Sequence, residues 1–182
     1  MEQQAEKYLK FAAMIATSMV VMFLLMYLNT YELSHVHWSQ TRFYMTFIMG
    51  GAMAIVMLLF MLGMYRNKAV NIGILLVGAA MIIGALFLVR TQTPIADKSY
   101  MRAMIPHHSI AILTSEQAHI RDARVRELAD GIIKAQRKEI KEMEWLIEDI
   151  RKNGAATTQA EAQARPVPDF EGRLNPQQVA EK

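Results

Sequence analysis

Three stretches without a charged side chain, residues 11–28, 43–65 and 69–89, constrain this chain more than any other feature. Crossing about 30 Å of hydrocarbon as a helix takes roughly 17 to 25 apolar residues, and each stretch is of that length. In lipid the backbone must satisfy its own hydrogen bonds, so helix is the expected conformation. Each run is bracketed by charge: Lys7 and Lys10 with Glu32, Arg42 with Arg66, and Lys68 with Arg90. The Asn29-Thr30-Tyr31 that follows the first run offers no small-residue cleavage site, so that run reads as an uncleaved anchor rather than a signal peptide.

The lipid bilayer is therefore the first partner the sequence implies. Lys7, Lys10, Arg66 and Lys68 flank one side and Arg42 the other, which puts the N-terminus inside. Three crossings then place everything after Arg90 outside a cytoplasmic (inner) membrane, in the periplasm of a Gram-negative bacterium or at the cell exterior. The two halves differ in kind: six basic and three acidic residues lie up to Arg90, and fourteen of each lie beyond it. The net charge of +3 comes from the flanks of apolar runs, which is no nucleic-acid footprint. With no cysteine, disulfide scaffolds and thiolate-ligated zinc sites are excluded.

The expected architecture is all-α, with a membrane domain over 1–90, a linker over 91–96, an extramembrane helical hairpin over 97–152 and a flexible tail over 153–182. Thr93-Pro94 suits the approach to a helix, with Asp97 or Ser99 as its cap. Over 97–120, Met101, Met104, Ile105, His108, Ile112, Ser115 and His119 share one helical face, and Pro106 is expected to kink the helix just before His107-His108. A second helix over 124–152 puts Leu128, Ala129, Ile132, Gln136, Ile140, Met143, Ile147 and Ile150 on one stripe, and Asn153-Gly154 ends it. Two such helices cannot enclose a full core, so a homo-oligomeric bundle is expected.

Folding the hairpin about residues 121–122 brings His108 to Gln136, Met104 to Glu139 and Met101 to Met143. Thioether and imidazole donors without thiolate suit copper(I), or silver(I), better than hard cations. The plainer alternative is that the methionines fill gaps in a core and the histidines hydrogen-bond within it. His119 lies about 16 Å along the helix from His108 and belongs to the surface or to the scaffold.

The segment Tyr100-Met101-Arg102-Ala103-Met104-Ile105-Pro106-His107-His108-Ser109-Ile110-Ala111, followed by Ala135-Gln136-Arg137-Lys138-Glu139-Ile140-Lys141-Glu142-Met143-Glu144-Trp145-Leu146, resembles the domain of unknown function 305 family. In that family a "MIPHH..A" element precedes a "Q..EI..M..WL" element. The family is related to ferritin-like helical bundles and includes a periplasmic copper-binding protein. The resemblance implies Met101, Met104, His107, His108 and Met143 as metal ligands, with Gln136 and Glu139 as polar support. It covers residues 97–150. The chain departs from soluble members in having one hairpin in place of a fuller bundle, and in its three added spans.

Ferritin-like oxidase chemistry would need several inward carboxylates and repeated Glu-x-x-His motifs; only Glu116 to His119 fits, and no catalytic motif is present, so the chain is not expected to be an enzyme. Met45, Met49, Met53, Met57 and Met61 recur at four-residue spacing along the second span, making a stripe that either packs against neighbouring helices or forms a thioether ladder conducting copper(I) from His35 and His37. The leading expectation is a membrane-anchored copper(I) or silver(I) binder for sequestration or hand-off to a metal donor or acceptor protein. The alternatives are a copper(I) conduit and a structural membrane protein without metal.

Overall fold

The computed structural model describes residues 2–175. Among these the fold is all-α, with helices α1 (Glu2–Leu25), α2 (Gln40–Phe60), α3 (Lys68–Thr91), α4 (Asp97–Gln117), α5 (Ala123–Asn153) and α6 (Gln159–Ala164), plus a 3₁₀ turn at Leu33–His35. The chain forms two compact units: one of residues up to Leu28 together with Ser39–Ile95, the other of Asn29–Trp38 together with the residues from Ala96 onward.

In the first unit, α1, α2 and α3 are each long and apolar enough to cross a membrane. Polar side chains start the second and third of them: Ser39 accepts from the Arg42 N–H at 3.2 Å, and Asn67 accepts from the Ala69 and Val70 N–H groups at 3.1 and 3.2 Å. Each thereby satisfies donors that an unextended helix start leaves open. α2 packs against both other helices. Small residues permit this: a Cβ at Gly51 would meet the Gly78 carbonyl of α3 at 2.6 Å, and one at Gly50 would collide with the Met19 side chain of α1. Close backbone approach at small residues is the packing mode of helices in lipid, where apolar side chains gain nothing by burial. Phe11, Ile15, Ala54, Leu58 and Tyr65 form the buried centre of this unit, with Met19, Met53, Met57 and Met61 packed around it.

The second unit is built on the α4–α5 hairpin, whose core joins Met101, Ile105 and Ile112 to Ile133, Ile140, Met143 and Ile147. α4 continues as helix through the fully buried Pro106. The start of α4 is not capped as expected: Ala96 is its cap residue and offers no side-chain acceptor, and Asp97 lies in the first turn. α5 is capped by Asp122, which accepts from the Arg124 N–H at 2.9 Å, and it ends at Gly154 with φ 78.

The expected stripe on α5 is rotated in its first half. Leu128 is 64% exposed while Ile133, outside the expected stripe, is fully buried. The reason is polar. The last turn of α4 presents carbonyls without partners, and Arg126 turns inward to donate to Ser115 O at 2.9 Å while pairing with the buried Asp130 at 3.0 Å. That puts residues 126, 130 and 133 on the inner face.

Two further segments cover one side of the hairpin. The loop 29–38 belongs to this unit. The Tyr31 N–H donates to Ser109 Oγ at 2.6 Å, and His35 Nδ1 lies 2.9 Å from the same oxygen. In the described part of the expected tail, residues 153–175 contact α5. Arg165 pairs with Asp149 at 2.8 Å, Lys141 donates to Glu171 O at 2.9 Å, Arg137 bonds to Arg173 O, and Leu174 packs on the core. Apart from Leu174, these contacts join cations of one segment to a carboxylate or backbone carbonyls of the other. The rest of the expected tail, 176–182, lies outside the described residues.

Candidate metal centre

The centre begins with the helical repeat of α4. One turn separates Met104 from His108, about 6 Å of rise, whereas Met101 stands about 10 Å from His108 along the axis. α5 runs antiparallel, and its Glu139 is the residue that meets His108: Oε2 lies 3.2 Å from Nδ1. The expected partner was Gln136, about one turn away on α5. Gln136 is half-buried and lines a shallow depression with Leu128 and Ile132.

Glu139 lies off the N–H direction, and His108 Nδ1 is a buried atom without a hydrogen bond. The imidazole is nearly enclosed, at 13% exposure, while the carboxylate is open to solvent at 47%. Burial holds the His108 pKa below the ordinary histidine value; Glu139 opposes this and His107 reinforces it. At neutral pH the ring is thus a neutral imidazole, the form that binds metals. The Glu139 carboxylate stands beside Nδ1 without accepting a hydrogen bond from it, so the usual carboxylate–histidine hydrogen bond behind a metal-bound imidazole is not formed here.

His107 is exposed, and its ring centroid is 6.2 Å from that of His108. A nitrogen-bound ion sits about 2.0 Å from its donor, which places each ring centroid about 3.2 Å from the ion. Two rings on one ion can therefore be as far apart as about 6.4 Å if the ligation is nearly linear. The observed separation falls inside that span, although adjacent helical residues diverge by about 100°. Copper(I) accepts low coordination by soft donors, and Met104 supplies a thioether one turn away.

The other proposed ligands lie elsewhere. Met101 and Met143 come together as expected, but they are buried at 6% and 9% in the hydrophobic core, lining a cleft of about 470 Å³ with Tyr100, Leu146 and Val167. His119 is exposed. Among the described residues no three His, Asp or Glu side chains gather as a metal group, so an ion held here would draw on thioether as well as nitrogen donors. In the first unit the methionine stripe divides: Met53, Met57 and Met61 pack against the core, Met49 is half-buried and Met45 is 43% exposed.

Sequence reasoning missed the loop side of the hairpin. His35 is buried, and Tyr31 OH accepts from Arg137 at 3.0 Å, while the same guanidinium pairs at 2.6 Å with a Glu116 whose side chain is only 5% exposed. Burial and Glu116 raise the Tyr31 pKa above the ordinary phenol value. Burial lowers the pKa of His37, against the pull of Glu144 and with the help of Arg102 and His35, and its Nε2 has no hydrogen bond. The signal available was Ser109, a small polar residue set between Ile105 and Ile112 on the inner helical face.

The family described as a domain of unknown function (DUF305) matches residues 92–181. The chain is also similar to uncharacterized protein L153 of Acanthamoeba polyphaga mimivirus, 31% identical over 147 residues, which is 75% of this chain and 93% of that protein. That share exceeds the half covered by the family match, so the similarity extends into the apolar half. No solved structure matches the chain. A family pattern over the hairpin and its flanks, joined to a relative aligned over nearly its whole length, leads to one conclusion: the chain belongs to the DUF305 family.

Proposed function

We propose that this chain is a membrane-anchored, non-enzymatic protein that binds copper(I), or its analogue silver(I), for sequestration or hand-off to another protein. The observation that carries the reading is the grouping of a nearly enclosed His108 imidazole, with Glu139 3.2 Å from its Nδ1, beside His107 at 6.2 Å between ring centroids and Met104 one helical turn away. His107, His108 and Met104 are the ligands, Glu139 and Gln136 the polar support, and Met101 with Met143 a buried thioether pair further along the hairpin. Three spans anchor the chain in the cytoplasmic membrane of a bacterium, with the N-terminus inside and the hairpin outside, as the flanking charges favour.

Copper(I) titration of the purified full chain in detergent, against a competing chelator, tests the reading. High-affinity binding is expected in the wild type and is expected to be lost in a His107→Ala, His108→Ala variant, with Met104→Leu weakening it. A double variant that binds as tightly as the wild type would overturn the assignment. The conduit alternative gains nothing from the packed Met53, Met57 and Met61, which behave as adaptable core residues.

A further inference from the structure

The first unit contains an apolar groove of about 550 Å³ between α1 and α3, with Ala54 of α2 among its lining residues. Its walls run from Tyr8 to Met19 on α1 and from Val70 to Met81 on α3. Eleven helical steps on each side give about 16 Å, which is about half of the ~30 Å hydrocarbon thickness. The groove thus has the depth of one leaflet. A transmembrane helix from a second copy would instead call for a seam along the full span.

One end is built differently from the rest. The Tyr8 hydroxyl donates to Asn71 Oδ1 at 2.7 Å and accepts from the Asn67 N–H at 3.2 Å, while Asn71 Nδ2 donates to Tyr65 O at 2.8 Å. This network ties α1 to the start of α3. Lys7, Arg66 and Lys68, neighbours of those residues, are exposed; Lys10 is paired with Glu6 at 2.7 Å. Three exposed cations thus adjoin in sequence the residues that close the Tyr8–Asn71 end, and anionic headgroups are drawn to such clusters.

We propose that this groove takes one acyl chain of an anionic phospholipid, whose headgroup is held at the Tyr8–Asn71 end by Lys7, Arg66 and Lys68. The inference rests on α1–α3 spanning the bilayer. Carbonate extraction separates the two: a protein that washes off membranes refutes the spans, whereas lipid results on a retained protein bear on the groove alone.

The test is native mass spectrometry of the full chain released from nanodiscs of equal phosphatidylglycerol and phosphatidylcholine. Retention of phosphatidylglycerol about tenfold above phosphatidylcholine is expected, falling to parity in a Lys7→Gln, Arg66→Gln, Lys68→Gln variant. Gly73 lines the groove, and nothing lies within 4 Å of a Cβ added there, so Gly73→Leu fills the space without a backbone clash and should abolish retention. Equal retention of both lipids by the wild type, a preference that survives removal of the charges, or unchanged retention in Gly73→Leu would each overturn the proposal. So would a dimer that Gly73→Leu dissociates while lipid retention stays the same.

Discussion

Ser109 Oγ lies 2.6 Å from the backbone nitrogen of Tyr31, a contact across 78 residues. The serine is fully buried, and the same oxygen faces His35 Nδ1 at 2.9 Å. The residue after the two histidines of α4 therefore holds the loop that joins the first two apolar helices, so this part of α4 is covered by the protein's own chain.

Removing that hydroxyl leaves the Tyr31 N–H without its acceptor. Ser109→Ala should cost about 1 to 3 kcal/mol, concentrated in the loop. Hydrogen exchange should show faster exchange of residues 29–38 with α1–α3 unchanged; uniform protection would mean that the bond contributes nothing.

Arg137 compensates a nearly buried carboxylate, Glu116, and also reaches Tyr31 OH. Arg137→Met should destabilise the second unit by roughly 3 kcal/mol because it strands a buried charge, and adding Glu116→Gln should recover part of the loss. Denaturation of the full chain in detergent, followed by Trp145 fluorescence, would measure both.

His108 and His37 both have pKa values lowered, first by burial. A base with a depressed folded-state pKa favours the folded form when neutral. Its contribution is complete above the unfolded histidine value, about 6.5, and is lost as pH falls through the lower folded value. The thermal midpoint of the second unit should therefore fall on acidification below about pH 6.5, and copper(I) affinity should fall with it. A His37→Gln, His108→Gln variant should show a flatter midpoint against pH; an unchanged slope would exclude both groups.

A Cβ at Gly172 would collide with the Lys134 carbonyl. Gly172→Ala should thus lift the tail from α5 at a cost of about 1 to 3 kcal/mol, and limited proteolysis should reach residues 165–175 faster than in the wild type.

Much of the fold was legible. The three apolar runs come from local composition and lie within or close to the observed helices, although α1 begins at Glu2, well before its run. What escaped depended on partners distant in sequence. Leu128 has the spacing of a core residue, yet it is exposed, because Arg126 turns inward to donate to Ser115 O at the end of α4 and Asp130 turns in with it as its partner. Tyr31 looks like an ordinary loop residue, and His35 only like a source for the methionine ladder, until Ser109 is known to be buried. The MIPHH element located His107 and His108, but the pairing of His108 with Glu139 rather than Gln136 depended on a turn geometry that spacing alone does not determine.

The membership of residues 29–38 in the second unit means that the chain passes between the units three times, after Leu28, before Ser39 and before Ala96. A protease cutting only within 91–96 would break one of these passages. The hairpin would keep its grip on the loop through Ser109 and Arg137, and the loop remains continuous with α1 and α2. Shedding of this domain from the membrane would thus require both the cut and the unfolding of that contact, so a nicked protein should stay with the membrane fraction.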